Sequence, residues 1–194
     1  MNHLIVYTHP SPSSFNHAVM ETYALELEAS NQEVRVRDLY GLGFDPVIRQ
    51  SDYDTLSGGG MPEDIGTEQG HLCWADVITF IFPIFWAGPP AMLKGYIEKV
   101  FSQGFAYAFE GEQPKGLLGG KKAVIINTTG GSLKLYQSSG MLESISRTID
   151  GGVFRFCGME VLHHRYFTGV TTATVDERAQ MLEEVRRIAR SLPS

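Results

Sequence analysis

Short apolar runs alternate along the chain with longer segments in which apolar residues recur every three or four positions. His3–Tyr7, Val34–Asp38, Val77–Phe82, Ala123–Asn127 and Glu160–His164 are rich in Val, Ile, Leu or Phe and have strand length. Each is followed by a helical pattern, the second of which, around Glu68–Ala75, is weak. The third, Ala91–Phe101, places Met92, Leu93, Tyr96, Ile97, Val100 and Phe101 on one face, with Pro89 and Pro90 at its start. The last spans about Val175–Leu192, and Thr174 with Glu177 forms a T-x-x-E capping box at its head. Short apolar strands, each followed by a helix, predict a five-stranded parallel sheet with both faces covered, a doubly wound α/β domain.

Composition narrows the partners. With 194 residues, 43% of them hydrophobic, one such domain accounts for residues 1–194. The formal charge is −6 with acids and bases intermixed, so no basic stripe follows a phosphate backbone and nucleic acid is not expected. Cys73 and Cys157 lie far apart with neither a C-x-x-C nor a metal-type spacing. Two buried free thiols are expected, with no disulfide framework and no metal site. No basic segment precedes "LIVY" and no small-residue cleavage site follows it, so no export signal is visible. The most apolar region, Val77–Leu93, is interrupted by Pro83, Gly88, Pro89 and Pro90 and falls short of the ~20 residues a membrane helix needs. The expectation is a cytoplasmic protein without membrane insertion.

Ligands of doubly wound sheets bind beyond the carboxyl ends of the strands, near the switch in strand order. Three loops are therefore read together: "THPSPSSFN" after the first strand, "PIFWAGPP" after the third and "TTGGSLKLY" after the fourth. In the first, Ser13 and Ser14 offer hydroxyls, and the amides of Ser14, Phe15 and Asn16 stand at a helix start suited to a phosphate. A serine that only caps the helix is the plainer alternative. His9 sits at the strand end beside them. In the second loop Phe85 and Trp86 lie in a stiff segment between Pro83 and Gly88, where they can meet a flat ligand or close the core. In the third, Gly130 and Gly131 allow close backbone approach to a ring edge, and Thr128 and Thr129 can bond its polar atoms. A glycine pair after a strand also marks an ordinary turn. Together the loops suit something phosphorylated and flat. No G-x-S-x-G or S-x-x-K motif supports a hydrolase.

The stretches "FPIFWAGPPAMLKGYIEKVF", "GFAYAF", "TTGG…Y" and "RFCGMEVL", with "SFN" in the first loop, resemble the NAD(P)H:quinone oxidoreductase family, the DT-diaphorase type of flavodoxin-like flavoprotein. They occur in the same order and at similar intervals. The resemblance runs from His3 to about Arg190, with Ser51–Glu68 shorter and different. It implies a flavodoxin-like fold, a flavin held by the three loops, and two-electron ping-pong hydride transfer from NAD(P)H to a quinone or similar acceptor. His9, Ser13, Phe15 and Asn16 match the family's phosphate-side contacts, and Pro83, Ile84, Phe85 and Trp86 the loop along the isoalloxazine. Thr128, Thr129, Gly130 and Gly131 match the loop at its polar edge, and Tyr136 the tyrosine beside the ring. Tyr107, Phe109 and Phe156 fall where the family walls its substrate pocket with Trp86, the first two reaching across a homodimer interface.

The chain departs from the family where the chemistry is done. Well-studied vertebrate members place a histidine six residues after the tyrosine, and here that residue is Leu142. Tyr136 and the Gly130 and Gly131 amides are left as the candidate catalytic donors to the flavin O2/N1 edge. Nothing in the sequence aims His163 or His164 at a flavin. Val170 and Arg178 fall at adenine contacts of FAD-binding members and favour FAD, whereas the different Ser51–Glu68 segment keeps FMN open. Some relatives are ancillary subunits of potassium efflux systems, so a regulatory or electron-transfer role is the alternative. The acceptor, and NADH against NADPH, stay open.

Overall fold

The computed structural model describes residues 1–193. Strands β1 (Asn2–Tyr7), β2 (Glu33–Asp38), β3 (Val77–Pro83), β6 (Lys122–Thr128) and β7 (Glu160–Phe167) form one five-stranded sheet in the order β2-β1-β3-β6-β7. All its pairings are parallel. The chain moves outward from β1 to β2 and then crosses back to β3, so the order reverses between β1 and β3 and a crevice opens above their carboxyl ends.

Every residue of β3, "VITFIFP", is buried, as a central strand covered on both faces requires. On one face Leu4, Val6, Ile78, Phe80 and Ile125 pack with Leu72 of α3 (Glu63–Trp74), Leu93 and Tyr96 of α4 (Ala91–Val100), and Phe154. On the other, Ile5, Tyr7, Ile81 and Val124 pack with Val19 and Tyr23 of α1 (Phe15–Ala29) and Val185 of α7 (Val175–Arg190). The apolar face expected for α4 is the buried one. The capping box of α7 forms as expected: the Glu177 amide donates to Thr174 Oγ1 at 3.2 Å, and the Thr174 amide donates to Glu177 Oε2 at 2.7 Å.

Several elements differ from the sequence expectation. The weak second helix is α3, which begins at Glu63, and a separate helix α2 (Gln50–Ser57) with no buried residue precedes it. Residues Tyr107–Glu110 (β4) and Gln113–Gly116 (β5) form an antiparallel hairpin outside the main sheet. Two short helices, α5 (Leu133–Ser138) and α6 (Met141–Ser146), lead into a π-helix at Arg147–Arg155. β7 continues to Phe167, past the expected end at His164. Cys157 is buried, but Cys73 is exposed, because it sits on the outward side of α3 while its neighbour Leu72 takes the core position. No described helix is long and apolar enough to cross a membrane.

Candidate functional site

A hollow of about 340 Å³ lies above the carboxyl ends of β1, β3 and β6. It is lined by His9, Ser13, Ser14, Phe15 and Asn16 from the first loop, Pro83, Ile84 and Phe85 from the second, and Thr128 and Gly130 from the third. Val170, Thr171 and Arg178 close its far end. Ser14 is the N-cap of α1, its Oγ accepting from the His17 amide at 3.1 Å, so the capping role and the place beside the hollow fall to one residue. The Ser11 amide donates to His9 Nδ1 at 3.0 Å, which leaves the ring proton on Nε2. Burial lowers the pKa of that ring, so the neutral form is favoured.

The loops are tied to one another at their roots. The Ile84 amide donates to the Thr128 carbonyl at 2.8 Å, and the Thr129 amide to the Phe167 carbonyl at 2.9 Å. Asn16 Nδ2 donates to Thr128 Oγ1 at 2.7 Å and so joins α1 to β6. Its Oδ1 and Thr8 Oγ1 are buried without a partner within the protein. An orphaned amide at a helix start is what a bound oxyanion would satisfy, because with the amide turned over Oδ1 accepts from Thr128 and the NH₂ is free to donate. The Arg178 guanidinium reaches back to the Val170 carbonyl at 3.0 Å.

A second hollow, about 500 Å³, adjoins the third loop and is lined by Trp86, Ala87, Gly131, Leu135, Tyr136, Ser139 and Met141. Trp86 and Ala87 are the two central residues of a tight turn closed by paired Phe85–Gly88 backbone bonds of 2.9 and 3.0 Å. Both have left-handed backbone, φ 47° and 62°, where Asn-Gly would be the usual occupant. This strained turn holds the indole entirely in solvent. Tyr136 is half-buried, and its hydroxyl makes no hydrogen bond to the described residues. Neither Gly130 nor Gly131 has a left-handed backbone.

Tyr107, Phe109 and Phe156 meet in a third hollow of about 380 Å³, with Tyr107 centred 5.9 Å from Phe109 and 5.3 Å from Phe156. Within one chain this hollow is separate from the one lined by Trp86 and Tyr136. Leu142 lines neither.

Comparison with known proteins gives this geometry a context. The flavodoxin-like fold family matches residues 1–191. An uncharacterised NAD(P)H oxidoreductase of Haemophilus influenzae is 34% identical, over 94% of this chain and 91% of its own. NAD(P)H dehydrogenase [quinone] 1 of Cavia porcellus is 36% identical, over 92% of this chain and 72% of its own. The chain belongs to the NAD(P)H:quinone oxidoreductase family of flavodoxin-like proteins. Among solved structures, the NAD(P)H:quinone oxidoreductase of Methanothermobacter marburgensis superposes with a TM-score of 0.88 at 28% identity, covering 100% of this chain and 99% of its own.

As a member of this family of NAD(P)H dehydrogenase (quinone)-type enzymes, the chain carries features that the sequence left unread. Thr171 and Ala87 line the hollows, and both follow from turn geometry rather than from residue type. His164, unaimed in the sequence, is bonded to Asp150 on one side and Asn127 on the other. That contact depends on the β6–β7 register, in which His164 pairs with Ile125 after a bulge at Ala123/Val124.

Proposed function

We propose that the chain is a flavin-dependent NAD(P)H:quinone oxidoreductase. The observation that carries this reading is the hollow bounded by the three loops, with the orphaned Asn16 amide at the start of α1 and the exposed Trp86 and Tyr136 hollow beside it. The first loop is suited to a phosphate: the α1 amides, the His9 Nε2 proton and the Asn16 amide all offer donors. Phe85 and Trp86 are suited to a ring face, and Gly130, Gly131 and Tyr136 to its polar edge.

The flavin, when bound, supplies two-electron hydride chemistry between a nicotinamide and a quinone. The protein's part is to orient and to polarise. The Tyr136 hydroxyl and the Gly130 and Gly131 amides are the donors that would hydrogen-bond the flavin's polar edge as negative charge develops there. Trp86, pre-set by its strained turn, offers a flat surface on which either of two planar reactants stacks. Val170 and Arg178, which line the same hollow at positions matching adenine contacts, favour FAD over FMN. The hairpin that carries Tyr107 and Phe109 is read as completing the site of a second copy, which makes the working unit a twofold dimer in the cytoplasm.

Apoprotein titrated separately with FMN and FAD, followed by flavin fluorescence, tests this. Saturable binding with one flavin per chain is the expected result. Failure of both flavins to bind contradicts it.

A further inference from the structure

The roots of two loops are fixed from beneath by a continuous chain of hydrogen bonds. The His164 side chain on β7 is only 7% exposed, with Nδ1 2.6 Å from Asp150 Oδ1 on the π-helix and Nε2 2.6 Å from Asn127 Oδ1 on β6. Asn127 is fully buried and donates through Nδ2 to the Phe82 carbonyl at 3.3 Å. Phe82 directly precedes Pro83, and Asn127 directly precedes Thr128. Tyr166 stacks on the His164 ring with centroids 4.2 Å apart, and its hydroxyl is 2.9 Å from Ser146 Oγ.

Counting donors fixes the protons. A carboxylate only accepts, and Asn127 commits its NH₂ to Phe82, so its oxygen faces the ring as an acceptor. With Asp150 ionised, both ring nitrogens donate to their neighbours and the ring carries a proton on each. A neutral ring protonated on Nδ1 would set a bare Nε2 against Asn127 Oδ1. Turning the Asn127 amide over would repair that contact only by setting Oδ1 against the Phe82 carbonyl. The titratable groups against the ring are Asp150 and Tyr166, and burial holds the Tyr166 hydroxyl as a neutral phenol, its pKa pushed up to about 12. Asp150 supplies the compensating charge. Apolar residues of similar volume would stabilise such a spot as well as a buried ion pair does. What the pair adds is a fixed direction for Asn127.

We propose that His164 is a positioning residue for the ligand loops. Clamped as an imidazolium between Asp150 and Asn127, it holds the ends of β3 and β6, and through them residues 83–86 and 128–131, in the geometry that receives the flavin. This rests on the flavin reading of the site.

Proton-detected ¹⁵N NMR of the histidine rings at pH 7 tests it in the unaltered protein. Two ring N–H protons on His164, with resonances that move when FAD is added, are expected; one proton, or no response to bound FAD, overturns the proposal. His164→Gln cannot donate at both ends, and Asn127→Asp cannot donate to Phe82. Each should weaken FAD binding on the order of tenfold and speed amide hydrogen exchange at 83–86 and 128–131. Wild-type affinity and exchange in both variants would overturn it. Should either variant fail to fold, the ring-proton count of the wild type decides. If the wild type binds neither FMN nor FAD, the flavin reading fails, and the proton count with loop exchange in apoprotein still judges the clamp.

Discussion

A Cβ atom built on Gly131 stands 2.8 Å from Cε2 of Tyr136, so the tyrosine ring rests against bare backbone. The same atom built on Gly130 meets nothing closer than Thr171 Cγ2 at 3.7 Å. The two glycines therefore differ in kind. Gly131→Ala should push the Tyr136 ring aside and lower kcat roughly tenfold, since small misplacements of an orienting group cost up to about a hundredfold. Gly130→Ala should leave stability within about 0.5 kcal/mol of wild type. Steady-state kinetics and thermal unfolding of both variants check the contrast, and equal kcat losses would contradict it.

The Trp86–Ala87 turn gives a second prediction. Left-handed backbone costs a non-glycine residue about 1–2 kcal/mol, so Ala87→Gly should raise stability by up to about 1 kcal/mol. Trp86→Ala removes a side chain that touches solvent alone, so stability should hold within about 0.5 kcal/mol. Loss of stacking worth about 0.5–1.5 kcal/mol should instead weaken reactant binding severalfold. Urea unfolding and KM measured together separate the two effects; unchanged kinetics in Trp86→Ala would remove the indole from the site.

His3 sets a pH dependence. It is fully buried, both ring nitrogens lack a partner, and burial, followed by the N-terminal ammonium, pushes its pKa down to about 4. Above pH 6.5 the ring is neutral in both folded and unfolded chains and has no effect. Between pH 6.5 and about 4 the unfolded chain takes up a proton that the fold refuses, so stability falls with pH, by about 1.4 kcal/mol per unit at most. Urea unfolding from pH 7 to 4.5 should show this loss, and His3→Leu should flatten it. An unchanged slope in His3→Leu would place the acid sensitivity elsewhere.

The two thiols should separate cleanly. Cys73 is exposed, whereas burial pushes the Cys157 thiol up to about 11. A thiol reagent at pH 8 should label one cysteine in the native protein and two in denaturant. Prompt labelling of both would mean that the wall formed by Tyr107, Phe156 and Cys157 opens in solution.

Strands with both faces buried were legible in the sequence because their apolar runs are continuous, as in "VITFIFP". The β4–β5 hairpin was not, since Glu110, Gln113, Pro114 and Lys115 face solvent and carry no strand signal. The three loops could be found from their positions after strands, and the fold gathers most of their residues around two adjoining hollows. The family resemblance groups Tyr107, Phe109 and Phe156, and within one chain they gather at a hollow apart from that of Trp86 and Tyr136. The His164 clamp was hidden because it joins residues from β6, β7 and the π-helix. Only the strand register and the turn of that helix bring them within hydrogen-bonding distance.

Anaerobic rapid mixing of flavin-loaded protein with NADPH, and then with menadione, tests the central claim most directly. The visible flavin absorbance should be bleached by NADPH and restored by the quinone, with both phases fast enough to support steady-state turnover. Tyr136→Phe should slow the bleaching roughly tenfold to a hundredfold, as loss of a hydrogen bond to a charged group worth about 1.5–3 kcal/mol requires. Bound flavin that NADPH fails to bleach, or that menadione fails to reoxidise, would contradict the claim that this chain is a quinone reductase.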